Sequence, residues 1–460
     1  MKRFLLLPVF LIALAAAAQT GGITPQMLAD IRAQHPTTAA DRAMRNALAR
    51  NAINDLALSA DNSEATETYF SNEVRSKGIS NQKSSGRCWL FTSLNVMRAR
   101  MIQTYGMGAF QFSQAYCFFY DQLEKSNLFL QAVIDNAGDP MDNQQNTWLF
   151  HNPLSDGGTF CGAQQVITKY GLVPAEVMPE SFSANNTSTM NQILTQKLRQ
   201  YGLELRGMVE KGEKAKALQA RKTEMLGTVY HILCVCLGTP PSEFTWTRRT
   251  ADGKAAETKK YTPLSFYQEY VGKDLVGGYV FLMNDPTRPY YKTYSIKYDR
   301  HSYDGADWTY LNLPMEEIEA CAIASIKDST MMYMSCDVGK FYTKNGVLSL
   351  ENFNYADLFQ TDFPMTKAER IKTFASASSH AMTLMAVDLD AEGKPLKWKV
   401  ENSWGADSGV QGHLIMTRDW FREYFFRLVV EKKYVPQNIL ELAKQKPVEL
   451  PSWDPLFMDE

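Results

Sequence analysis

The sequence predicts an α+β protein, and three observations carry that expectation. Behind Cys88, the residues Leu90, Leu94, Met97 and Met101 recur at helical spacing. Residues 106–130 and 190–225 hold two further helical patterns, the first dense in aromatics and the second polar. Residues 380–402 read as a β-hairpin whose second arm alternates, with Leu396, Trp398 and Val400 inward and Lys397, Lys399 and Glu401 outward.

Taken in order, the chain opens on Lys2 and Arg3, an apolar run at 4–14 and small residues up to Ala18. That is the layout of a secretory signal peptide with cleavage after Ala18, so the mature protein is expected to be secreted or periplasmic. The apolar run is short for a bilayer span, and no membrane segment is expected in the mature form. Losing Lys2 and Arg3 leaves 46 positive against 50 negative charges, a net of −4. Residues 26–58 are Ala-rich and helical, 59–67 a polar break, and 69–80 an extended approach to the first motif. Residues 238–260, with Pro240, Pro241 and Gly253, form a loop or hairpin excursion.

Composition excludes several classes. With 460 residues, 45% hydrophobic and 21% charged, the chain is neither disordered, collagen-like nor a multi-pass membrane protein. Lys+Arg 48 against Asp+Glu 50 gives −2, so no global field draws it to nucleic acid. The charges at 204–224 interleave in sign, which marks a solvated helix face and not a phosphate track. Seven cysteines without a CxxC pair make neither a disulfide scaffold nor a zinc site, and no metal or cofactor is expected. Cys117, Cys161, Cys234, Cys236, Cys321 and Cys336 read mostly as small buried hydrophobes.

Cys88 is different. Ser84-Ser85-Gly86 is loop and cap material, which places Cys88 in the first turn of a core helix. Unpaired N–H groups and the positive end of the helix dipole favour a thiolate there, and a thiolate is a nucleophile. Gln82, six residues earlier, is placed to turn its carboxamide toward an oxyanion beside Cys88.

A thiol nucleophile needs a base. Of six histidines, His35 and His151 sit in loops, His231 in an apolar stretch and His301 in a polar loop. His380 opens the first arm of the hairpin. Folding that hairpin about residue 391 sets His380 opposite Asn402 on the inward face, with Cβ atoms about 4.5–5.5 Å apart. An Asn oxygen there accepts from one imidazole nitrogen and turns the other toward the thiol.

The segment Asn-Gln-Lys-Ser-Ser-Gly-Arg-Cys-Trp at 81–89, Ser-His-Ala-Met-Thr at 379–383 and Val-Glu-Asn-Ser-Trp-Gly at 400–405 resemble the motifs of papain-like cysteine peptidases. The likeness is to the bleomycin hydrolase/aminopeptidase C branch, and it extends to Leu-Pro-Ser-Trp-Asp-Pro at 450–455. The resemblance implies a nucleophile at Cys88, a base at His380, its orienter at Asn402 and an oxyanion donor at Gln82. It implies that Gly157 and Gly158 pair with an extended peptide substrate, and that Trp404 shields the His380–Asn402 bond. The implied fold is papain-like and two-lobed, helical lobe against β-barrel-like lobe, with helical insertions and a C-terminal tail in the cleft.

On that frame residues 19–75 are an N-terminal helical segment and 76–190 the helical lobe. Residues 191–300 are an insertion, 301–432 the β-rich lobe, and 433–460 a C-terminal helix and tail. The insertion accounts for the 292 positions between Cys88 and His380, where simple papain-like enzymes have about 130–150. The resemblance further implies a homohexamer, peptide substrates, and a terminal carboxylate on Glu460 that meets the substrate's amino group. Two departures stand out: the tail ends Leu456-Phe457-Met458-Asp459-Glu460 where the family shows Met-Gly-Ala-Leu-Ala, and the chain carries an export signal. The expected activity is an exported cysteine aminopeptidase. An endo-acting peptidase or amidase on the same residues, and a peptide-binding protein with a silent site, are the alternatives.

Overall fold

The computed structural model describes residues 21–62, 67–272 and 275–457, so the signal peptide expected at 1–18 and the terminal Glu460 lie outside the described residues. The chain divides into two compact units at Leu58/Ser59. The described part of the first holds helices Pro25–Gln34, Ala39–Leu48 and Ile53–Ala57. Thr24 caps the first, with Pro25 at its first helical position, and Thr38 and Asp41 form a capping box on the second.

The second unit contains the two lobes. The helical one is built from Cys88–Tyr105, Gln114–Asp135, Phe160–Tyr170, Ser188–Glu210, Ala215–Leu237 and Pro263–Tyr270. Leu94, Phe118, Leu130, Leu198, Leu233 and Phe266 belong to its core. The helix pattern at 106–130 begins later than its aromatics suggest, because Phe110 and Phe112 precede the helix and pack edge-on against Trp246 and Phe266. The single helix expected over 190–225 is two: Gly212 takes a left-handed φ of 76° and Lys214 an extended conformation, which breaks the run. The excursion at 238–260 contains a hairpin, Phe244–Arg249 paired with Ala255–Tyr261.

The β-rich lobe is one mixed sheet of eleven strands among the described residues. Its centre runs Tyr279–Met283, Phe425–Glu431, Met332–Cys336, His380–Leu389, Pro395–Glu401 and His413–Thr417 in spatial order. Tyr279–Met283 and Lys292–Ile296 thus join this sheet although they precede residue 301. Leu282, Met334, Leu384, Trp398 and Leu428 form its core, together with Ile318 and Phe421 from flanking helices.

The hairpin register differs from the expectation. Val400 pairs with Leu384 and Glu401 with Thr383, with irregularities at Pro395/Lys397 and Lys399/Val400. Asn402 therefore lies one residue beyond the last in-register pair, Glu401–Thr383, and diagonal to His380, whose own partner is Cys336 on the neighbouring strand. The irregularities also undo the simple alternation. Leu396 is exposed and Glu401 buried, the reverse of their assigned faces.

Candidate active site

Cys88 is the first residue of the helix Cys88–Tyr105, which ends at Gly106 in a left-handed cap. Its N-cap, Arg87, is wholly buried between the rings of Phe91 and Phe118 and bonded through both terminal nitrogens to Glu180. That anchorage fixes the helix end where the first-turn N–H groups face the cleft. Lys83 adopts φ 54°, and its N–H bonds to Asn81 Oδ1 at 2.9 Å. This turn, with Asn81 bridged to Trp404 and Gln82 N–H donating to Ser403 O at 2.8 Å, ties the nucleophile loop to the asparagine segment.

His380 Nε2 and Asn402 Oδ1 are 2.8 Å apart, and both residues are buried. The diagonal placement is close enough for a direct bond, so the pairing read from the sequence holds although the register does not. The bond leaves Nδ1 as the nitrogen able to exchange a proton with Cys88. Trp404 lies over His380 with ring centroids 4.9 Å apart at 33°. Gln82 is held at both ends of its carboxamide: Ser403 Oγ donates to Oε1 at 2.6 Å, and Nε2 donates to Ser85 O at 2.6 Å. One N–H of that amide remains for a ligand.

Gln82, Cys88, Gly157, Gly158, His380 and Arg427 line one cavity of about 320 Å³ between the lobes. All the described residues assigned to the site from the sequence meet there or, like Asn402 and Trp404, directly behind it. Asp156, the residue before the glycine pair, locks the Gly157–Gly158 segment to the nucleophile. Its carboxylate accepts from Gly86 N–H at 2.7 Å and from Thr187 Oγ1, and its carbonyl accepts from Trp89 Nε1 at 2.8 Å. A Cβ at Gly86 would overlap that carboxylate, which explains the glycine. Beneath the segment, Asp121, Lys125 and His301 form a second polar cluster, linked by no local motif.

Burial pushes the Cys88 thiol above its ordinary value, against the N–H groups of Ala381 and Trp89, which pull it down. Burial likewise pushes the His380 imidazole down to about 4, opposed by the Asn402 bond. Burial thus disfavours ionising either group alone. The ion pair expected from the helix dipole arises when the proton moves between them, because the two new charges attract strongly where water is scarce. Among the described residues no group of His, Cys, Asp and Glu forms a metal site, and no helix is long and apolar enough to cross a membrane.

A helix-borne thiol, an Asn-oriented imidazole and a carboxamide donor across a two-lobed cleft define a papain-like cysteine peptidase. The model of the Peptidase C1-like family matches residues 22–457, and the chain belongs to that family. It is similar to bleomycin hydrolase of Rattus norvegicus, 38% identical over 417 residues covering 87% of this chain and 91% of the relative. Aminopeptidase C of Lactobacillus delbrueckii subsp. lactis is 36% identical over 417 residues, 89% of this chain and 92% of that protein. The crystal structure of PepW from Lactobacillus rhamnosis superposes with a TM-score of 0.91 at 36% identity, covering 95% of this chain and 99% of that one.

Proposed function

We propose that the protein is an exported cysteine aminopeptidase that removes N-terminal residues from peptides through a thioester. The observation that carries the reading is the 2.8 Å His380–Asn402 bond behind the cavity shared with Cys88 and Gly157–Gly158. His380 Nδ1 takes the thiol proton as Sγ attacks the scissile carbonyl. The oxyanion is held by the Cys88 N–H and the remaining N–H of Gln82. His380 then returns the proton to the departing amine, and water, deprotonated by the same imidazole, cleaves the thioester.

Exo-action rests on the tail and on the aminopeptidases among the chain's relatives. Phe457 packs with Trp308 and Tyr310 and lies 5.2 Å from the guanidinium of Arg427, a residue of the catalytic cavity. Three further residues span at most about 11 Å, and on this reading they carry the Glu460 carboxylate into the cleft. A carboxylate there pairs with a substrate ammonium. Free-amino and acetylated fluorogenic peptides, assayed with reductant on intact and tail-trimmed protein, test this. The intact enzyme should cleave only the free-amino substrate, and trimming Asp459 and Glu460 should admit the acetylated one. Equal cleavage of both by the intact protein would make it an endopeptidase.

Export rests on the basic and apolar start of the chain, and N-terminal sequencing of the mature protein should begin at Gln19. Homohexameric assembly rests on family resemblance, and light scattering should return about six times the mature mass.

A further inference from the structure

The segment that aligns the substrate is supported from beneath by a buried ionic cluster. Lys125 Nζ donates to Gly157 O at 2.5 Å and to Ser155 O at 3.2 Å, and it pairs with Asp121 at 2.9 Å. Gln122 Nε2 also donates to Ser155 O, at 2.9 Å. Asp121 Oδ1 in turn accepts from His301 Nδ1 at 2.5 Å, and the His301 ring lies edge-on to Trp89 with centroids 4.7 Å apart. Gln165 Oε1 accepts from the N–H groups of His301 and Ser302, which holds this loop on the helix Phe160–Tyr170.

The ring also explains two glycines. A Cβ at Gly158, or at Gly162 on that helix, would overlap His301. With the carbonyls of 155, 156 and 157 all engaged from below, the N–H and carbonyl of Gly158 have no hydrogen bond among the described residues. The backbone groups an extended peptide would pair with are thus unpaired, and Gly158 lines the catalytic cavity. Asp121 and His301 are 180 positions apart, and nothing in the catalytic chemistry uses either.

We propose that His301, with Asp121 and Lys125, is a positioning residue that sets the height of the Gly157–Gly158 strand and so determines peptide affinity without touching the reacting atoms. The inference rests on the peptidase reading above and adds a second histidine to the site's machinery. On the full chain with reductant, kcat and KM for a free-amino peptide are measured beside the rate at which iodoacetamide alkylates Cys88. His301→Ala and Gly162→Ala should each raise KM about tenfold, the equivalent of one lost hydrogen bond, and keep kcat within about twofold. The double variant should be no worse than His301→Ala, because Gly162→Ala acts by displacing the same ring. Iodoacetamide, which needs no strand, should alkylate all variants at the parental rate. Lys125→Met removes the carbonyl bonds without opening a large cavity and should raise KM likewise, and it serves if His301→Ala does not fold. A fall in kcat at unchanged KM, a matching fall in alkylation, or parental KM throughout would overturn the proposal. If the parent chain turns over no free-amino peptide, the aminopeptidase reading fails instead. Protection of Cys88 from iodoacetamide by bound peptide then gives the same affinity ratios without turnover.

Discussion

Arg98 and Glu401 form a buried ion pair, Nη2 to Oε1 at 2.5 Å, that joins the helix presenting Cys88 to the strand leading into Asn402. Ser76 Oγ donates to the second Glu401 oxygen, and Gly78 O accepts from the same guanidinium at 3.3 Å. The pair thus fixes one lobe's nucleophile against the other lobe's base.

Arg98→Ala strips Glu401 of its buried partner and should cost about 3–5 kcal/mol of stability by urea unfolding. Replacing both with apolar residues of similar volume, Arg98→Met with Glu401→Leu, should recover much of that loss. A cost below about 1 kcal/mol for Arg98→Ala would mean that the pair contributes little.

Gln82→Ala should lower kcat by about 10²–10³ with a small change in KM, since the lost donor serves the oxyanion and not the ground state. Ser403→Ala, which frees the far end of the Gln82 carboxamide, should produce the same pattern at smaller amplitude. Stopped-flow or steady-state kinetics on one peptide separate these effects. A rise in KM alone would move Gln82 from catalysis to binding.

The pH profile follows from burial. His380 must be neutral to accept the Cys88 proton, and its imidazole is held down to about 4. Activity should persist through pH 5 and fall only as pH drops toward 4, well below the ordinary 6.5. The Cys88 thiol, pushed up by burial, moves the alkaline limb upward as well. Asn402→Ala removes a bond that raises the His380 value, so its acid limb should move lower still while kcat drops about 10²-fold from lost orientation. An acid limb at pH 6 or above in kcat/KM would contradict this.

What the sequence made legible were local patterns with a strong physical signature. The Ser-Ser-Gly loop before an apolar 3.6-residue stripe located the Cys88 helix, and the alternation around Trp398 and Val400 located the Asn402 strand. The register was not legible, because the turn centres one residue beyond 391, so that Pro395 already pairs with Leu389, and the irregularities at Pro395/Lys397 and Lys399/Val400 then shift the pairing out and back. Glu401 read as solvent-facing because its partner, Arg98, lies 303 positions away. His301 read as a loop residue for the same reason: its value comes from Asp121, and long-range charge pairing leaves no periodic trace.

The most direct test is the hydrolysis of a free-amino peptide by Cys88→Ala, with circular dichroism to verify the fold and mass mapping of a peptidyl alkylating reagent on the parent protein. The parent should take one adduct, on Cys88, with stoichiometric loss of activity, and the folded variant should take no adduct and show no turnover. Turnover retained by Cys88→Ala, or inactivation of the parent through any of its other six cysteines, would contradict the account.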